Sequence, residues 1–242
     1  MAPIADPTQK NVTVAGLALA VTEAGSGSPV VVLHRSIGLH GWGAFEDALC
    51  ASRRVLVPDL PGFGHSDRPD WAREPRDLAI IINSLVNKLE LADVTLVGLG
   101  LGGFIAAELA TFQPGWLSKL VLVSAGGVKP PAGETLDQML MAHDEYVKAG
   151  FSDTAKYVAA FGEKVTPDVK DVLEFSRIMT ARICWSPYMF SRRLPPLLGE
   201  ITASTVVAWG DDDNVIPVAS GEVFADQIAG ARLEIFPAAG HL

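Results

Sequence analysis

The stretch Val94 to Ala110 constrains this chain more than any other. It is almost wholly apolar, broken by glycines at 98, 100, 102 and 103, and carries Glu108 inside a helical pattern. An apolar run that short cannot span a bilayer, which takes ~20 residues. It reads instead as a strand over Val94 to Val97, a tight glycine turn, and a helix from Gly103 to Gln113 stopped by Pro114-Gly115. A strand and helix that are apolar all round must be covered on every side. The element pattern must therefore supply layers above and below a sheet.

The rest of the chain supplies them. Val12, Val14, Leu17, Leu19 and Val21 alternate with other residues, as in an opening hairpin. Val30 to Leu33 and Arg54 to Val57 are short apolar runs bounded by turn residues. Leu78, Ile81, Ile82, Leu85, Val86 and Leu89 keep a helical period, which predicts an amphipathic helix over Pro75 to Glu90. Leu120 to Val123, Thr205 to Trp209 and Arg232 to Phe236 read as strands, and Val218 to Ile228 as a helix. The fold class is α/β, with a mostly parallel, doubly wound sheet. Lys129 to Glu200 interrupts the alternation with helical patterns around Thr135 to Ala149 and Pro167 to Thr180, then proline stops at Pro187 and Pro195-Pro196. That is far more chain than a βα connection needs. Residues 1–128 and 199–242 are expected to form the core, and 129–198 an inserted helical lid over the strand ends, where open α/β sheets bind ligands.

Composition excludes several classes of partner. Hydrophobic residues are 49% and charged residues 19%, enough to build a packed core. The net charge is −9 with no run of Lys or Arg, so nucleic acid and anionic membrane are not expected partners. Cys50 and Cys184 stand far apart, with no metal-ligand spacing and no disulfide framework, so neither a metal nor a cofactor is expected. Met1 to Lys10 lacks the charged-then-apolar pattern of a secretion signal. A reducing, cytoplasmic setting is the expectation.

The glycine turn has two readings. Gly98, Gly100 and Gly103 fit G-x-G-x-x-G, a dinucleotide fingerprint in which a pyrophosphate lies on a helix N-terminus. That reading needs an acid at the end of the next strand, and this one ends Val123-Ser124-Ala125. The second reading is a G-x-S-x-G nucleophile elbow over Gly98 to Gly102, with Gly100 at the serine position.

Other segments favour the second. Leu33-His34 leads into Arg35-Ser36-Ile37-Gly38. Asp59-Leu60-Pro61-Gly62-Phe63-Gly64-His65-Ser66 follows the next strand. Trp209-Gly210-Asp211-Asp212-Asp213-Asn214-Val215-Ile216-Pro217 and Ala239-Gly240-His241 come late in the chain. With these the chain resembles the α/β-hydrolase fold superfamily over nearly its whole length, in particular its lid-bearing esterases and C–C-bond hydrolases. The order elbow, acid, histidine is the order that fold uses. The resemblance implies that Asp213 orients the general base His241, and that the Ser36 and Leu101 amides form an oxyanion hole. It also implies that His34 anchors the oxyanion loop. Asp211 and Asp212 read as solvent-facing or capping acids, and Cys50 and Cys184 as inert thiols. His40, His65 and His143 receive no role. Arg35 stands where the family carries glycine, and either crosses the pocket mouth or points to solvent. Arg35, Trp185 and Tyr188 are the candidate substrate contacts; the two aromatics can equally pack the lid.

Gly100 has no side chain, so the covalent serine mechanism is closed to this chain. Three alternatives follow. Asp213 and His241 activate a water on a small, largely apolar substrate; or the pocket binds a small molecule without turning it over; or Gly100 is an engineered replacement of serine in an otherwise ordinary hydrolase. Ser36 and Ser124 are candidate relocated nucleophiles. His241 is followed only by Leu242, where the family continues into a helix. A sheet face left uncovered there would invite association with a second copy.

Overall fold

A computed structural model describes residues 6–38, 42–162 and 166–242. His40 lies outside the described residues. Eight strands form one sheet in the order β1-β2-β4-β3-β5-β6-β7-β8. The strands are β1 (Thr8–Val14), β2 (Leu17–Gly25), β3 (Pro29–Leu33), β4 (Arg54–Pro58), β5 (Val94–Leu99), β6 (Leu117–Val123), β7 (Ser204–Gly210) and β8 (Arg232–Phe236). β1, β2 and β4 pair antiparallel; every other pairing is parallel.

The continuous apolar runs follow from burial on both faces. Along β3, Val31 and Leu33 join the large core with α2 (Pro75–Lys88), α3 (Leu101–Ala110) and α7 (Val218–Gln227). Val30 and Val32 face the other way, into a smaller cluster with Val55, Val57, Val97 and Leu99 beside α1 (Ala44–Cys50). The pleat sends neighbours to opposite faces, so a strand covered twice loses the alternation that marks a half-exposed one.

Between β6 and β7 lie α4 (His143–Ala149), α5 (Thr154–Phe161), α6 (Pro167–Cys184) and a 3₁₀ turn at Pro195–Glu200. The predicted helix over Thr135 to Ala149 is a correction: only its second half is helical. The Asp137 carboxylate accepts from the Met139 amide (2.8 Å), and the Leu136 amide donates to the Val215 carbonyl (2.8 Å). These bonds divert the backbone from a helical ladder. Helices α1 and α5 escape the periodicity reading because each is about two turns long. Asp153 caps α5 by accepting from the Ala155 amide (2.8 Å). At the sheet edge, Ile235 and Phe236 of β8 stand about half exposed.

Candidate active site

β5 runs straight into α3 through Gly100, whose φ of 53° and ψ of −112° lie in a region L side chains rarely adopt. The turn is pinned from three directions. The Gly100 amide donates to the Val123 carbonyl (3.0 Å), and the Gly100 carbonyl accepts from the Gly126 (3.0 Å) and Phe104 (3.1 Å) amides. Gly102 is needed for close approach: a Cβ there would lie 2.1 Å from the Leu33 carbonyl oxygen. Its amide donates to the His34 carbonyl (3.0 Å). The glycines thus let α3 pack on β3 and β5, and the Gly100 and Gly102 amides are bonded within the chain. This gives the glycine spacing a packing cause in place of a pyrophosphate cradle.

β7 and β8 deliver the acid and the histidine. Asp213 has a fully buried side chain, and its Oδ1 accepts from the Val215 and Ile216 amides (2.9 Å each). Its Oδ2 accepts from His241 Nδ1–H at 3.0 Å. Burial pushes the Asp213 pKa up, but the imidazole's charge and hydrogen bonds from His241, Ile216 and the Ser124 hydroxyl outweigh it and hold the carboxyl below its ordinary value. An aspartate accepting at Nδ1 leaves Nε2 with its lone pair. That nitrogen faces the elbow: a Cβ built on Gly100 would sit 3.1 Å from His241 Nε2. Asp211 has its own task, accepting from the Ala238 amide (2.7 Å) and so tying the acid loop to the histidine loop. Asp212 is exposed.

Arg35 turns inward. Its Nε–H donates to the His241 carbonyl (3.0 Å), and its Cγ would lie 3.3 Å from a Gly100 Cβ. Burial pulls its pKa down, while the carboxylates of Asp213 and Glu46 pull it up. His34 is structural, as its place at the end of β3 implies. Its Nδ1–H donates to the Arg35 carbonyl (2.8 Å), and its Nε2 accepts from the Leu60 amide (2.9 Å). Burial keeps it neutral by lowering its pKa. The Asp59-to-Ser66 segment is a folded turn: Asp59 Oδ2 accepts from the His65 amide (2.7 Å), and the Ser66 hydroxyl donates to the Asp59 carbonyl (2.7 Å).

Neither serine stands as a nucleophile against the imidazole. The Ser124 hydroxyl serves Asp213, and Ser36 Oγ lies 3.4 Å from the Tyr146 hydroxyl. The Leu101 amide is at the first position of α3, where no intrahelical acceptor exists. Tyr146 of α4 is a site residue that no motif announces. Burial pushes its pKa up to about 12, so it stays a hydroxyl donor. Tyr188 lies one step further out, its hydroxyl accepting from the Gln138 amide (3.2 Å) and side chain (3.3 Å). Trp185, just past the end of α6, is 65% exposed and lines a different cavity from the one beside the elbow. Beside the site, a cavity of about 450 Å³ is lined by Arg35, Leu99, Val123, Phe151 and Leu242, among others. Among the described residues no cluster of His, Cys, Asp and Glu is placed to hold a metal, and no helix is long and apolar enough to cross a membrane.

A mostly parallel sheet carrying a glycine elbow, then an acid after β7 and a histidine after β8, defines the α/β-hydrolase class of fold. A family model described as the alpha/beta hydrolase family matches residues 30–242. The chain belongs to that family. It is 28% identical to 2-hydroxymuconate semialdehyde hydrolase of Pseudomonas sp. (strain CF600), covering 96% of this chain and 87% of that protein. It is 29% identical to 2-hydroxy-6-oxo-6-phenylhexa-2,4-dienoate hydrolase of Comamonas testosteroni, covering 90% and 83%. The solved structure of the enzyme of that latter name from Rhodococcus sp. strain RHA1 superposes with a TM-score of 0.76 at 21% identity, over 98% of this chain and 92% of that one.

Proposed function

We propose that this protein hydrolyses a small, largely apolar carbonyl compound with water, not a side chain, as the attacking group. The observation that carries the reading is the aim of His241 Nε2 at the Gly100 elbow, 3.1 Å from the Cβ position. A water within hydrogen-bond reach of Nε2 stands over that glycine. His241 takes its proton as the oxygen bonds to the carbonyl carbon. The developing oxyanion is received by the Leu101 and Ser36 amides. The proton then passes from Nε2–H to the leaving oxygen or carbon as the scissile bond breaks. Asp213 keeps the imidazole in the required tautomer and stabilises its cation. Arg35 holds the histidine loop through the His241 carbonyl.

The substrate class follows the relatives, whose names describe hydrolases of hydroxy-oxo dienoates and a semialdehyde. Residues 129–198 serve as the lid. Supporting this, Thr180 of α6 donates to the Ser36 carbonyl (3.3 Å), and the Leu242 amide donates to the Gly150 carbonyl (2.7 Å) at the end of α4. Two free thiols, Cys50 and Cys184, fit a reducing cytoplasmic setting.

The test compares wild type with His241→Ala on an activated ester and on a hydroxy-oxo dienoate. Turnover above background that is lost in the variant is expected. Binding without turnover would make the protein a carrier or sensor. Turnover unchanged by His241→Ala would end the water mechanism.

A further inference from the structure

The cavity that claims Trp185 is separate from the elbow. It measures about 570 Å³ and lies between the start of α2, Phe104 and Glu108 of α3, the end of α6 and the loop after it. Gly100, Asp213 and His241 are not among its lining residues.

Its charge runs against the chain's. The protein carries net −9, yet five arginines line this cavity against two glutamates. Both glutamates are engaged: Glu108 with Arg76 (2.6 Å) and Glu74 with Arg193. Arg73 and Arg182 are held differently. Arg73 donates to the Asp70 (2.7 Å) and Ala72 (2.8 Å) carbonyls, and Arg182 donates to the same two carbonyls. Neutral acceptors fix the guanidiniums in place, and among the described residues no carboxylate forms an ion pair with either. Arg192 is exposed, and among the described residues no carboxylate pairs with it. Three unpaired positive charges thus surround one hollow, where like charges repel until an anion enters.

Aromatic and aliphatic side chains make up most of the remaining wall, with Ser186 and Ser191 beside them. Phe104 and Ile183 are buried there, Phe190 is half-buried, and Trp185 offers an indole that is 65% exposed. An exposed indole beside guanidiniums fits a ligand with a planar body and an anionic end, one stacking and the other pairing with arginine.

We propose that this cavity is a second binding site, for a planar organic anion bearing a carboxylate or a phosphate. It stands independently of the hydrolytic reading, because the two sites share none of the residues above.

Calorimetry on the full chain at low salt tests it with 2-naphthoate, 1-naphthyl phosphate, inorganic phosphate and the neutral 2-naphthalenemethanol. The carboxylate and phosphate arms show which anionic group is preferred. Either naphthyl anion should bind more tightly than inorganic phosphate, and the neutral alcohol should bind least. Arg192→Gln and Trp185→Ala, both at exposed positions, should each weaken the better anion by about tenfold, and added salt should weaken it further. His241→Ala should leave this binding unchanged. Equal binding of the neutral alcohol, equal binding of inorganic phosphate, wild-type affinity in the Arg192→Gln, Trp185→Ala double variant, or loss of binding in His241→Ala would each overturn the proposal.

Discussion

Restoring a hydroxymethyl group at the elbow separates the strain of that turn from its chemistry. Gly100 sits at φ 53°, ψ −112°, and its backbone is tied to Val123, Gly126 and Phe104, so the turn has little freedom to relax. A non-glycine residue held there stores roughly 1–3 kcal/mol. Lower entropy of the unfolded chain returns ~0.4–1 kcal/mol. The new Cβ also meets His241 Nε2 at 3.1 Å and Arg35 Cγ at 3.3 Å, which requires small side-chain shifts. The net loss for Gly100→Ser is about 1–2 kcal/mol. For a chain of this size that lowers Tm by about 2–8 °C. Gly100→Ala carries the same Cβ without the hydroxyl and should lose a similar amount. Their activities should part. With Asp213 and His241 already placed, Gly100→Ser should raise turnover of an activated ester by roughly two orders of magnitude or more over Gly100→Ala. Gly100→Ala should fall below wild type, because its methyl takes the position assigned to water. Calorimetric scans and p-nitrophenyl ester assays on the three proteins decide the matter. A serine variant as stable as wild type would refute the strain argument, and one no more active than the alanine variant would refute the reading of the pair.

Asp213→Asn should cut any His241-dependent turnover by roughly 10³–10⁴-fold. Because the folded pKa of Asp213 lies below the unfolded one, its ionised form favours the native state above about pH 4. That contribution is lost as pH falls through the depressed value, so the gap in urea midpoint between wild type and Asp213→Asn should close in acid. Gly102→Ala should cost about 3 kcal/mol or more, read from urea unfolding, because its Cβ meets a backbone oxygen that cannot move aside. His34→Ala should cost ~1–3 kcal/mol by leaving the buried Leu60 amide without an acceptor, again read from urea midpoints. Burial raises the pKa of both thiols, so in a thiol-reagent titration Cys184 should react only after denaturation, and the half-buried Cys50 slowly before it.

Local sequence determined whatever a few consecutive residues enforce through backbone and burial. The apolar runs dictated strands covered on both faces, and the glycines at 98 to 103 dictated a strand-to-helix turn too tight for side chains. The order of Gly100, Asp213 and His241 along the chain matched one fold. What the tertiary structure alone decided concerns side chains joined across long separations. Arg35 reaches inward because the His241 carbonyl accepts its Nε–H. Ser124 serves the acid and not as a nucleophile because β6 and β7 pair with the Ser124 amide donating to the Ala208 carbonyl, beside the acid's loop. Tyr146 reaches Ser36 from a two-turn helix whose residues match no motif, and Trp185 lines a separate cavity past the end of α6. Periodicity shows which face of an element is buried. It does not show which distant group a buried polar atom will find, since that pairing exists only once the whole chain has packed.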